Sequence, residues 1–137
     1  MSSRFTPFRW LVRSWLLSYL AIPACAPHKA PQGARCTLKY AVTTRELEVR
    51  PTDAPYEAPL VLVGERFGFK AVLRDGERAS LNLYVYDREH DTLLQEVKYT
   101  APFPGSRADA EFGFTGHQYV YSSSGREFEY WCRWSSP

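Results

Sequence analysis

The densest group of reactive side chains lies at residues 87–91, where Asp-Arg-Glu-His-Asp places three carboxylates and one imidazole in five positions. Carboxylate oxygens are ligands for calcium, and an imidazole adds affinity for borderline metals. A calcium-binding loop normally has a glycine for its sharp turn and spaced ligands, and this segment has neither. We interpret it as a solvated turn between strands and predict no metal site and no cofactor.

His117 is the candidate for acid–base chemistry, because histidine changes its charge near neutral pH. No nucleophile stands beside it in the sequence, and residues 122–124 (Ser-Ser-Ser) lack the Gly-x-Ser-x-Gly context of a nucleophile elbow. The sequence also contains no phosphate loop, zinc-ligand pair or dinucleotide fingerprint. We therefore expect no enzymatic activity and keep His117 as a candidate binding residue. An enzyme that uses His117 with an acidic partner elsewhere in the chain is the alternative.

Tyr84, Tyr86 and Trp131 are the aromatic candidates for binding. Each alternates with apolar neighbours in a strand-like segment, and successive side chains of a strand point to opposite faces. The three rings are therefore expected on the side away from the core, where an aromatic strip could stack on sugar rings or anchor a protein. The alternative is that loops cover these rings, and the loop after Tyr99 is a candidate cover.

The amino-terminal segment, residues 1–24, has the build of an export signal: a basic region, an apolar stretch at residues 14–22 and then small residues. That stretch is too short to span a bilayer, which takes about 20 residues, although a retained amphipathic or membrane helix is the alternative. Residues 25–35 are rich in proline and small polar residues, so they are expected to form an extended tether.

Residues 22–25 (Ile-Pro-Ala-Cys) resemble the lipobox of bacterial lipoproteins, in which the cysteine is lipidated and becomes the mature amino terminus; Pro23 departs from that pattern. Lipidation of Cys25 and its removal with the signal both stay open. In either case Cys36 and Cys132 remain as the pair of an exported protein. An oxidising compartment favours a disulfide between them over two reduced thiols.

From Cys36 onward, apolar residues alternate with a period of two in successive short segments separated by turn signals, which is typical of half-buried strands. Residues 43–45 are expected to turn the chain after a first strand whose inner face ends at Val42. Asp75-Gly76 is the strongest hairpin signal, because both residues tolerate positive φ. Residues 36–137 are thus predicted to form one all-β domain, an antiparallel sandwich or small barrel of about eight strands closed by the disulfide.

Composition supports a single β-rich domain and excludes a general nucleic-acid partner. The chain has 137 residues and a high aromatic share of 15%, which favours strands. Its formal charge is +2, but three arginines belong to the export signal, and without them 14 basic residues face 15 acidic ones. A nearly neutral domain lacks the basic surface that displaces counterions from phosphates.

Three segments carry a family resemblance: residues 64–72 (Gly-Glu-Arg-Phe-Gly-Phe-Lys-Ala-Val), residues 83–86 (Leu-Tyr-Val-Tyr) and residues 127–132 (Glu-Phe-Glu-Tyr-Trp-Cys). Together with the signal, they resemble a family of small uncharacterised exported proteobacterial proteins. The resemblance implies export and carries no activity.

We expect a non-enzymatic exported envelope protein of a Gram-negative bacterium, in the periplasm or at the outer membrane. Its membrane contact would be made only through a lipid anchor at Cys25, and its partner would be a protein or a glycan. The alternative function is a secreted inhibitor of a hydrolase of the protease or lysozyme type. In that case residues 102–113, the longest irregular stretch, would enter the active site of the target.

Overall fold

The computed structural model describes Met1, residues 31–105 and residues 110–135. The predicted export signal beyond Met1, and Cys25, lie outside the described residues. The strands are β1 (Ala34–Tyr40), β2 (Thr43–Val49), β3 (Val61–Val63), β4 (Phe67–Arg74), β5 (Ser80–Asp87), β6 (Thr92–Thr100), β7 (Gln118–Tyr121) and β8 (Glu127–Trp134), with one 3-10 helix at Pro55–Glu57. β1 begins two residues before the expected start of the domain. Within the described ranges, no helix is long and apolar enough to cross a membrane.

The strands form two four-stranded antiparallel sheets packed face to face. The first sheet has the order β2-β1-β8-β7 and the second has the order β3-β4-β5-β6. Strands that alternate apolar and polar residues bury one face each, and two such faces make the core of a sandwich. The prediction of an all-β domain of about eight strands is confirmed, and of the two architectures left open the structure has the sandwich.

An aromatic cluster fills the centre of the core between the sheets. Phe67 and Phe69 of β4 meet Phe128 and Tyr130 of β8, and all four side chains are fully buried. The Phe67 and Phe128 rings stack with centroids 5.2 Å apart. The Tyr130 hydroxyl donates a hydrogen bond of 2.8 Å to Gln95 Oε1, which avoids the cost of burying an unpaired polar group.

The disulfide between Cys36 and Cys132 is present, as predicted. The two residues are direct partners in the β1–β8 pair, with Cα atoms 4.1 Å apart and a sequence separation of 96. Both side chains are fully buried. The bridge therefore ties the first strand of the described domain to the last, inside the core.

The turn predictions were right at one hairpin and wrong at another. β4 and β5 form a hairpin that turns through residues 75–79, with Gly76 at φ 86°. The first hairpin turns at Ala41 and Val42 rather than at residues 43–45, and Val42 is fully exposed instead of facing the core. Ala41 adopts a φ of 50°, a conformation that alanine rarely takes, so its type did not signal the turn.

Candidate functional site

A candidate site that combines packed rings with polar side chains lies on the outer face of the first sheet. β8 places Glu129, Trp131 and Arg133 on this face, since the alternate residues of the strand are buried in the core. β7 adds Tyr119, which is the register partner of Glu129. We call the group formed by Phe112, His117, Tyr119, Glu129 and Trp131 the ring cluster.

Four rings of the ring cluster pack against one another. Phe112 and His117 stack with centroids 4.3 Å apart, and Trp131 meets them at steep angles, at 5.4 Å and 5.1 Å respectively. The Tyr119 ring lies 4.3 Å from His117 on centroids. Trp131 is half-buried by these contacts, so part of the indole remains accessible.

The loop that carries Phe112 and His117 is fixed to β8 by backbone contacts. The Phe114 amide donates to the Cys132 carbonyl at 3.0 Å, and the Cys132 amide donates to Thr115 Oγ1 at 2.8 Å. Gly113 has a φ of 61°, and a Cβ there would overlap the Cys132 carbonyl. Only glycine fits this close approach, and the approach sets Phe112 beside Trp131.

Polar contacts join His117 to Tyr119 and to Glu129, and join Glu129 to Lys39. His117 Nε2 lies 2.8 Å from Glu129 Oε2, and its Nδ1 lies 3.0 Å from the Tyr119 hydroxyl. Lys39 Nζ donates to Glu129 Oε1 at 3.0 Å. The Lys39 hydrogen bond holds the pKa of Glu129 below its usual value, although partial burial acts in the opposite direction, and His117 adds to the lowering.

We expect the substitution Lys39→Gln to raise the pKa of Glu129, measured by NMR titration of its side-chain carboxyl. Because the pKa of Glu129 is lowered in the folded state, its ionised form stabilises the fold above the ordinary value of about 4.3, and that contribution is lost as the pH falls through the folded-state pKa. Arg50→Gln is the control, since Arg50 pairs with Glu48 on the surface. An unchanged Glu129 titration in Lys39→Gln would show that Lys39 does not lower the pKa of Glu129.

A shallow groove adjoins Trp131 on the side of β1 and β2. Its volume is about 300 Å³, and its lining residues are Arg35, Thr37, Glu46, Trp131 and Arg133. Thr37 is the register partner of Trp131 and donates to Glu46 Oε1 at 3.2 Å. The indole thus has rings on one side and hydrogen-bonding side chains on the other.

The tyrosine candidates lie elsewhere. Tyr84 and Tyr86 are on the outer face of the second sheet, half-buried, with ring centroids 6.4 Å apart. Burial raises the pKa of Tyr84, and neighbouring Glu96 raises it further. The three predicted aromatic residues therefore do not form one strip: Trp131 lies with His117, and the two tyrosines lie on the opposite side of the sandwich.

The acidic turn at residues 87–91 is only partly solvated. Asp87 is buried, 1% exposed, and accepts a hydrogen bond from the Glu89 amide at 3.0 Å. Asp87, Glu89 and His90 could offer ligand atoms within 4.8 Å of one another, but Arg66 forms ion pairs with both carboxylates. A guanidinium in this position opposes a bound cation, and the absence of a metal stays a prediction.

The sequence pointed to Trp131 and His117 but not to Glu129, Lys39 or Phe112. Glu129 follows His117 by 12 residues, and only the pairing of β7 with β8 brings the two side chains together. Alternation along β8 could have placed Glu129 on the same face as Trp131, because the two residues are two positions apart in one strand.

Compared with known proteins, the chain gives no significant match to a family model, a curated protein or a solved structure.

Proposed function

We propose that this protein is a non-enzymatic glycan-binding protein of the cell envelope, with Trp131 as the residue on which a sugar ring stacks. The observation that carries the proposal is the half-buried indole of Trp131, which has the other rings of the ring cluster on one side and the polar groove on the other. A sugar ring has an apolar C–H face that packs on an aromatic ring, and its hydroxyls need donors and acceptors at the edge. Thr37 and Glu46 supply such groups on the groove side.

The choice of a glycan over a protein partner rests on the character of the surface around Trp131. A protein interface commonly buries about 800 Å² on each side, a surface much wider than one groove. Here the indole lines one groove together with Arg35, Glu46 and Arg133. A groove of about 300 Å³ with charged walls suits a small polar ligand.

The envelope location is part of the proposal. It is supported by the signal-like residues 1–24 and by the buried disulfide, a bond that persists in oxidising compartments. Membership of the exported proteobacterial family and lipidation of Cys25 remain proposals of the sequence.

The hydrolase-inhibitor alternative requires a presented loop at residues 102–113. In the described parts of that segment, Trp134 Nε1 donates to the Pro104 carbonyl at 2.8 Å and Phe112 belongs to the ring cluster, whereas Pro102, Pro104 and Gly105 are exposed. We keep glycan binding as the proposed function because the described residues beside Trp131 form a groove with polar walls.

We expect the mature protein to bind members of an immobilised array of neutral and acidic oligosaccharides, and Trp131→Ala to weaken that binding about tenfold or more, as loss of an aromatic anchor does. Tyr84→Ala is the matched control, because Tyr84 is a half-buried ring on the opposite sheet, and it should bind like the wild type. Affinities are measured by titration calorimetry on variants with intact circular dichroism.

Three outcomes would contradict the proposed function. Absence of binding anywhere on the array would remove it, and loss of binding in Tyr84→Ala but not in Trp131→Ala would move the site to the second sheet. Cleavage of a bound oligosaccharide that disappears in His117→Ala would replace binding with acid–base catalysis at His117 and Glu129, which lie within hydrogen-bonding distance.

A further inference from the structure

Two arginines stand directly opposite each other beside Trp131. Arg35 of β1 and Arg133 of β8 are register partners, and both line the groove. Directly opposed residues on one sheet face have Cβ atoms about 4.5 to 5.5 Å apart, and like charges in such a pair destabilise the sheet. Negative charge close to the two arginines would offset this repulsion.

The neighbouring carboxylates neutralise this arginine pair only in part. Glu46 lies 3.9 Å from Arg35, and both side chains are more than half exposed, so the attraction is weak and screened. Glu48, the register partner of Arg35 on β2, pairs instead with Arg50 at 3.3 Å.

Arg133 has no carboxylate within 4.0 Å among residues 31–105 and 110–135. One of its nitrogens donates to the backbone carbonyl of Glu111 at 2.7 Å. That bond is to a neutral acceptor, so it orients the guanidinium without cancelling its charge. Among the described residues that line the groove, two positive charges thus stand against the single negative charge of Glu46.

We propose that the glycan bound at Trp131 is acidic, and that Arg133 and Arg35 take the carboxylate of a uronic acid residue while its ring stacks on the indole. This inference rests on the proposed function. Guanidinium groups bind carboxylates through paired, charge-assisted hydrogen bonds. A carboxylate between the two arginines also removes their mutual repulsion, which a neutral sugar does not do.

The test compares tetrasaccharides of galacturonic, glucuronic and mannuronic acid with the same compounds after reduction of their carboxyl groups to alcohols. We expect the wild type to bind at least one acidic compound about tenfold or more tightly than its reduced counterpart, since charge-assisted bonds are about twice as strong as neutral ones. Arg133→Gln should lower the affinity for the acidic compound severalfold and so narrow its preference over the reduced one, while Arg35 retains part of that preference.

Arg45→Gln is the charge-matched control. Arg45 is an exposed residue of β2 whose register partner, Leu38, faces the core, so it lies on the other side of the strand from the groove. Arg133→Gln removes one member of a like-charge pair but also loses the hydrogen bond to the Glu111 carbonyl, so the thermal midpoint of each variant is measured beside its affinity.

The outcomes separate this inference from the proposed function. Equal, Trp131-dependent binding of the acidic and reduced compounds would overturn the uronate inference and leave glycan binding intact. An equal loss in Arg45→Gln and Arg133→Gln would also overturn it, because the effect would then come from overall charge. Competition by glutarate as strong as that by the acidic tetrasaccharide would reduce the site to an anion site without sugar recognition. Binding to no oligosaccharide at all would remove the proposed function, and this inference with it.

Discussion

Replacing Cys132 by serine is expected to lower the free energy of unfolding by about 2 to 5 kcal/mol, as loss of a native bridge does in small secreted domains. The bridge closes a sequence separation of 96 residues, and the chain-entropy model assigns about 4.7 kcal/mol to a loop of about 100. The substitution also leaves a hydroxyl at a fully buried position. The urea midpoint of the mature protein measures the loss.

Reduction of the wild-type disulfide distinguishes the effect of losing the bridge from the effect of introducing serine. Wild-type protein in excess reductant loses the bridge but keeps both sulfurs, so it should show most of the loss seen in Cys132→Ser. The same reductant should leave the midpoint of a Cys36→Ser, Cys132→Ser double variant unchanged. Identical midpoints for oxidised and reduced wild type would show that the bridge does not stabilise this domain.

Truncation of Phe128 to alanine is expected to cost about 3 to 5 kcal/mol, the range for large aromatic residues in packed cores. Phe128 is fully buried, and its ring contacts Phe67 and Phe69 of the other sheet and Tyr130 of its own strand. Its removal opens a cavity where the two sheets meet, so we expect the thermal and urea midpoints to fall together.

Trp131→Ala is the contrast on the same strand. Trp131 lies three positions from Phe128 but on the outer face, half-buried. We expect a smaller loss, within the range of about 0.5 to 3 kcal/mol for typical substitutions. A loss in Trp131→Ala equal to that in Phe128→Ala would show that the indole is structural, and the glycan-binding proposal would lose its central residue.

Much of the fold was predictable because alternation is a local property of the chain. Each strand presents its apolar residues on one face whatever its neighbours are, so the number of strands and the inward direction of Cys36 and Cys132 followed from the residues. The hairpin at Asp75-Gly76 followed in the same way, because turn residues carry their own backbone preferences. The turn at Ala41 and Val42 escaped prediction because neither residue has such a preference.

The candidate site was only partly predictable, because its contacts join residues from different strands. The sequence placed Trp131 and Tyr84 on outward faces but could not assign them to sheets, and the structure puts them on opposite sides of the sandwich. The contact of His117 with Glu129 depends on the β7–β8 register, and the opposition of Arg35 and Arg133 depends on the β1–β8 register. A shift of one residue in either register would turn one of those side chains to the other face.

The sequence by itself determined an all-β domain and its strand count, because the alternation of apolar residues is read along each strand. It also determined the cysteine pair, because Cys36 and Cys132 remain once Cys25 is lipidated or removed with the signal. The tertiary structure alone decided that the sheets form a sandwich, which rings meet on one surface, and which charges stand opposite each other. Sheet order and register are set by the joint packing of the whole core. No single segment contains that information, and so the surface around Trp131 becomes visible only in the folded chain.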